Sequence, residues 1–121
     1  SLAPYLTRLN EIRRANPALH YLRNLVFHPI DNDNMLCWSK RDPRSGNTVL
    51  VICLLDSRNA HWGNTTLDMP ALGLDWHSRP TVRDALTGAS FQWGQHNAVR
   101  LDPYQEPAHI FTVHPNGGSP S

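Results

Sequence analysis

With 121 residues and a formal net charge of +1, the chain has the length of one domain and lacks the basic excess with which proteins neutralise a phosphate backbone. A domain of this size buries roughly two-thirds of the surface its unfolded chain exposes, so the two cysteines, Cys37 and Cys53, are expected as reduced thiols in apolar runs, not as a disulfide framework. No stretch reaches the length of a membrane span or has the pattern of a secretory leader, which points to a cytoplasmic protein that partners neither nucleic acid nor membrane.

At the N-terminus, Leu2, Tyr5, Leu6, Leu9 and Ile12 recur at helical spacing, while Thr7, Arg8, Asn10, Glu11 and Arg14 fill the other side. The spacing predicts an amphipathic helix from Ala3 to Ala15, with Ser1 as a cap and the Asn16-Pro17 step as its end. Such a stripe needs an apolar surface to lie on. No second helical pattern follows, so the helix reads as the last element of a preceding domain, kept at the head of an all-β one.

Beyond Pro17 the period changes to that of strands. Leu25–His28, Met35–Lys40, Thr48–Leu55, Asn64–Met69, Thr81–Leu86, Ser90–Trp93, Asn97–Leu101 and Ala108–Val113 are β-rich, separated by turn chemistry such as Asp31-Asn32-Asp33-Asn34, Pro43 with Gly46-Asn47, Gly63-Asn64 and Thr87-Gly88. Eight short strands at near-regular intervals predict a mainly β chain: an antiparallel β-sandwich preceded by one N-terminal α-helix. Val49 to Leu55 is apolar on both faces and suits a central strand. If the segments flanking Pro43 to Gly46 form a hairpin, Cys37 and Cys53 could become cross-strand neighbours, although disulfide geometry demands more than that. The segment Pro70 to Pro80, with Leu72, Leu74 and Trp76, lacks alternation and reads as a loop or helical turn closing one end. The tail, 115–121, is too polar and glycine-rich to pack.

Three stretches together resemble the α-amylase family of glycoside hydrolases. Leu6-Thr7-Arg8-Leu9-Asn10-Glu11-Ile12-Arg13-Arg14-Ala15-Asn16-Pro17-Ala18-Leu19 is similar to the final helix of its catalytic barrel. Val82-Arg83-Asp84-Ala85-Leu86-Thr87-Gly88 with Phe91-Gln92-Trp93-Gly94, then Asn97-Ala98-Val99-Arg100-Leu101 leading to Pro107-Ala108-His109-Ile110, resemble strands of its C-terminal sandwich. Adding Leu67-Asp68-Met69-Pro70-Ala71-Leu72-Gly73-Leu74-Asp75-Trp76 makes the similarity greatest to the maltosyltransferase branch, which extends α-glucan from maltose 1-phosphate. The resemblance implies a last barrel helix over 1–19, a C-terminal β-sandwich over 20–114, and a disordered tail over 115–121. It also implies that the nucleophile and acid/base lie upstream, in a barrel of the same polypeptide, and that the intact retaining transferase needs no metal or organic cofactor.

The residues agree with a fragment that carries no catalytic constellation. Asp31, Asp33, Asp42, Asp75 and Asp102 read as turn formers; Asp84, inside a strand, reads as a structural carboxylate bonding the Thr87-Gly88 turn or an arginine. The seven histidines are scattered without the close spacing of a metal site, so no metal ligand is expected. Of the four tryptophans, Trp38 and Trp93 fall in strands and read as core or half-core, whereas Trp62 and Trp76 lie near loops, where an exposed ring could stack on a sugar. Trp62 and Trp76 are therefore the candidate ligand-binding residues. The primary reading is a non-catalytic C-terminal domain whose partner is the preceding barrel; the alternative is an α-glucan-binding carbohydrate module.

Overall fold

The computed structural model describes residues 11–12, 14–20 and 25–115. Among them the strands are β1 (Val26–His28), β2 (Met35–Arg41), β3 (Thr48–Leu54), β4 (His61–Thr66), β5 (Thr81–Asp84), β6 (Ser90–Gln92), β7 (His96–Leu101) and β8 (Ala108–His114). Every pairing between them is antiparallel. Six form one sheet in the order β1-β2-β3-β8-β5-β6, and β4 and β7 form a second, two-stranded sheet. The eight predicted β segments and the β2–β3 hairpin are all present, and β3, apolar on both faces, has neighbours on both sides as its sequence requires.

Alternation divides each strand between a core face and an outer face. Met35 and Cys37 of β2, Leu50 and Ile52 of β3, Val82 of β5, and Phe111 and Val113 of β8 meet Val99 and Leu101 of the second sheet in one buried cluster. Leu67, Met69, Leu72 and Leu74 close its end, where a 3-10 turn over Pro70–Leu72 ends at Gly73 with φ 75°. That left-handed backbone favours glycine, and a Cβ there would also collide with the Arg41 guanidinium. The segment read as a closing loop or turn thus serves as a plug for the sandwich.

β4 departs from the expected Asn64–Met69: it begins at His61 and ends at Thr66. Gly63 is the reason, because it is a site of close approach and not of a turn. A Cβ at Gly63 would lie 2.8 Å from Met35 Sδ and 3.0 Å from Ile30 Cδ1, so the absent side chain lets β4 press onto β2. Residues 29–31 run along β4, with the Thr66 N–H donating to the Pro29 carbonyl at 2.9 Å and the Asp31 N–H to the Asn64 carbonyl at 3.2 Å.

The helix expected over Ala3–Ala15 is not borne out as an element. Residues 11, 12, 14 and 15 have helical backbone, 3–10 and 13 lie outside the described residues, and the helical elements among the described residues are two 3-10 turns, Pro17–His20 and Pro70–Leu72. The first of these follows from local chemistry: Pro17 offers no N–H, and the Asn16 amide donates to the Ile12 carbonyl at 2.8 Å. Asn47 then clamps the junction to the hairpin, donating to Asn16 Oδ1 at 3.1 Å and accepting the Ala18 N–H at 3.1 Å. Apart from Pro115, the tail expected to be disordered lies outside the described residues.

The register also settles the cysteines. Cys37 pairs with Ile52 and Cys53 with Leu36, so the two thiols point to opposite faces, and both are free. Burial pushes the Cys37 thiol up to about 12, which leaves it inert as a nucleophile at neutral pH.

On the outer face of the six-stranded sheet, Phe27, Trp38, Val51 and Ile110 stand in register across four strands, and Ala18 packs with Val49 and Val51 beneath Trp38 and Ile110. Lys40, the chain's one lysine, belongs to this face. It is 5% exposed, and its Nζ is the buried side-chain nitrogen without a hydrogen-bond partner among the described residues. Burial disfavours the ammonium and lowers its pKa below 10.5. Because the unfolded chain then holds the proton more tightly, this position makes stability rise as pH climbs from the folded value toward 10.5. Lys40→Met is expected to raise stability near neutral pH by about 1–2 kcal/mol, since it removes a desolvated donor and keeps an unbranched side chain only one atom shorter. Urea melts at pH 7 and 10 should show a gain that shrinks at the higher pH.

Candidate functional site

Trp62 and Trp76 are both exposed, at 65% and 47%, but they sit on different elements, and no ring contact joins them among the described residues. Trp76 lies in the connection that follows the Pro70–Leu72 turn. Trp62 stands on β4 opposite Arg100 of β7. The two tryptophans read as core or half-core are half-buried: Trp38 against the outer cluster, and Trp93 against the main core, edge to face with Phe111 at 4.8 Å.

Trp62 belongs to a strip. The register pairs Trp62 with Arg100, Asn64 with Ala98 and Thr66 with His96, and all six residues are exposed because Gly63, Thr65, Val99 and Leu101 take the core face. Each polar member is held. Asp31 accepts both the Asn64 backbone N–H, at 2.6 Å, and its side-chain amide, at 2.9 Å; these bonds from Asn64 hold the Asp31 carboxyl below the usual carboxylate value. Arg100 approaches Asp102 at 3.5 Å, and Thr66 Oγ1 lies 3.4 Å from His96 Nδ1. Behind Trp62, the Asn32 amide donates to the Trp62 carbonyl at 2.9 Å and to His61 Nδ1 at 3.2 Å, while His61 Nε2 meets Asp56 at 2.8 Å. This pattern fits an imidazole that donates from Nε2 and accepts at Nδ1. The His61 hydrogen bond, joined by the Arg58 N–H and Asn59, keeps Asp56 far below the ordinary carboxylate range.

The second cluster holds Asp84, His109 and Glu106, whose candidate ligand atoms lie within 4.8 Å of one another. Sequence reasoning anticipated a structural role for Asp84 but not its partner. Asp84 is 1% exposed; one carboxylate oxygen accepts the Leu86 N–H at 2.9 Å and the other meets His109 Nδ1 at 2.7 Å. Burial raises the carboxyl's pKa, but the hydrogen bonds from His109, Leu86 and Ile110 outweigh it and hold the group below the usual value. The signal for His109 was available in the alternation of β8, which turns His109 and Phe111 inward with Asp84 of β5 alongside.

Asp84 and Glu106 bring carboxylate oxygens within 4.8 Å of each other, and proximity of two carboxyl groups is what retaining glycosyl transfer uses. A buried carboxylate with both oxygens engaged cannot meet a sugar ring, so the geometry is that of a carboxylate locking an imidazole. These three are also the described residues that could gather around a cation, Glu106 being the exposed one, but the Asp84 oxygens and His109 Nδ1 are already committed to protein partners.

Comparison with known proteins follows the whole length of this sheet architecture. Residues 27–113 match the family model for GLGE, C-terminal. The chain belongs to the GLGE C-terminal family. Over 98% of its length it is 52% identical to alpha-1,4-glucan:maltose-1-phosphate maltosyltransferase 1 of Streptomyces coelicolor, of which it covers 18%. Over 93% it is 49% identical to the maltosyltransferase of Corynebacterium glutamicum, covering 17% of that protein. This GLGE C-terminal chain therefore spans less than a fifth of the length of the curated relatives it matches. Its fold is also that of a region of a GH27 β-L-arabinopyranosidase from Geobacillus stearothermophilus, with a TM-score of 0.56 at 15% identity over 84% of this chain and 22% of the other. No helix among the described residues is long and apolar enough to cross a membrane.

Proposed function

We propose that this chain is the non-catalytic C-terminal β-sandwich of a cytoplasmic polypeptide that transfers maltosyl from maltose 1-phosphate to the nonreducing end of α-1,4-glucan. The observation that carries this reading is the match to the GLGE C-terminal model across 27–113, in a chain that corresponds to under a fifth of each maltosyltransferase it resembles. Segment 1–19 is then the end of the catalytic barrel, 20–114 the sandwich and 115–121 a disordered tail. The barrel supplies the nucleophile and acid/base, and the transfer needs no metal or organic cofactor.

The physical work of the sandwich is to cover the barrel and fix the segment that leaves it. Phe27, 59% exposed at the end of the row whose Trp38 and Ile110 are only half-buried, supports this, because exposed apolar side chains side by side are what a domain interface buries. So does the Asn16–Asn47–Ala18 clamp, which fixes the angle at which the preceding segment enters. Phosphate release from maltose 1-phosphate with glycogen as acceptor tests the reading. The 121-residue chain is expected to release none, and the polypeptide extended upstream to release phosphate at a rate unchanged by chelator. Release by the short chain alone would refute it.

A further inference from the structure

We propose that the solvent face of β4 and β7, centred on Trp62, is a docking strip for an α-1,4-glucan chain. The assignment of an α-glucan rests on the maltosyltransferase reading above; the strip itself rests on its geometry.

An indole left 65% exposed on a paired strand forgoes burial that its size would reward. The ring is carried on backbone fixed from both sides, by the β7 ladder and by the Asn32 bond to the Trp62 carbonyl at 2.9 Å, so binding need order little more of the chain. Beside it the strip offers planar hydrogen-bonding groups that are oriented yet retain free capacity. The Asn64 amide is committed to Asp31 through its nitrogen, leaving its oxygen as an acceptor. Arg100 touches Asp102 through Nη2 at 3.5 Å, and its guanidinium has further donors to offer. Ala98, between Arg100 and His96, keeps the middle of the strip low.

Charge decides the class of ligand. Arg100, the one arginine of the strip, is balanced by Asp102, and Asn64 is backed by the carboxylate of Asp31. A polyanion would find no uncompensated arginine here, whereas a neutral chain offers hydroxyl pairs to Asn64 and Arg100 and an apolar C–H face to the indole. From Trp62 to Thr66 the strand advances about 13 Å, room for more than one pyranose ring. Trp76, on another element, takes no part.

Native gel electrophoresis through glycogen, with hydroxyethylcellulose as the β-linked control, tests the strip on this chain. Glycogen should retard it and the cellulose derivative should not. Trp62→Ala should weaken the retardation roughly ten-fold, as loss of a central aromatic anchor does, Arg100→Ala should weaken it less, and Trp76→Ala should leave it intact, all with unchanged thermal unfolding. In the upstream-extended polypeptide, Trp62→Ala should raise KM for glycogen several-fold while leaving kcat and the KM for maltose 1-phosphate unaltered. Equal retardation of wild type and Trp62→Ala, retardation by both polymers alike, loss on Trp76→Ala, or no retardation would each overturn the proposal. Phosphate release that survives while retardation is absent sinks the strip alone; retardation without phosphate release from the longer polypeptide leaves the strip and sinks the maltosyl-transfer reading.

Discussion

Asp84→Ala should cost about 3–5 kcal/mol of stability, the price of breaking a buried pair by deleting one member. The substitution leaves His109, 8% exposed, without its partner at 2.7 Å, and strips the Leu86 N–H of its acceptor at 2.9 Å. The backbone bonds of the β5–β6 turn, from the Gly88 N–H to the residue-84 carbonyl at 2.7 Å and from the residue-84 N–H to the Ala89 carbonyl at 2.7 Å, remain available to alanine, so the cost is that of the side-chain bonds. Asp84→Asn keeps the shape and an acceptor for Leu86, so it should cost less. The pH dependence separates charge from shape. Because the folded pKa of Asp84 lies below its ordinary value of 3.8, its ionised form adds stability above that value, and the contribution is lost as pH falls through the folded pKa. Denaturant midpoints from pH 7 downward should therefore fall less steeply below about pH 4 for Asp84→Asn than for wild type. A cost under about 1 kcal/mol for Asp84→Ala would mean that the pair is incidental to the fold.

The same carboxylate marks how far the sequence could be read. Alternation and turn chemistry located seven of the eight strands to within a residue or two and β4 only in part, and the two-faced apolarity of Val49 to Leu55 located the centre of the larger sheet. What alternation could not supply was pairing between distant segments. Asp84 and His109 are 25 residues apart and meet only because β8 lies between β3 and β5. The strip around Trp62 depends in the same way on a register between β4 and β7 that no local pattern encodes. Gly63 misled for a different reason: a glycine that permits close approach and one that permits a turn look alike until the neighbour, here Met35, is known. The helical stripe at the N-terminus was legible as a pattern, but helices of that length draw most of their stability from what they pack against. A pattern alone does not place that partner.

Phe111→Ala should destabilise the sandwich by about 3–5 kcal/mol, and the loss should overlap with that of Asp84→Ala instead of adding to it. Phe111 is 1% exposed and is the ring on which the others converge: Trp93 edge-on at 4.8 Å, Phe91 edge-on at 6.1 Å and His109 stacked at 5.0 Å. Its removal opens a cavity between β8 and β5 and leaves the His109 ring without the face that holds it parallel, 15° from the Phe111 plane. The Asp84–His109 bond then loses its fixed geometry, since Asp84 is the direct cross-strand neighbour of Phe111. Residues sharing a partner in this way show coupling of about 0.5–3 kcal/mol in double-mutant cycles. Chemical denaturation of Phe111→Ala, Asp84→Ala and the double variant measures it. Phe91→Ala is the control, because that ring is already 44% exposed on the edge strand β6 and should cost much less. Full additivity of the Asp84 and Phe111 losses would show that the aromatic cluster and the buried pair stabilise the sheet independently.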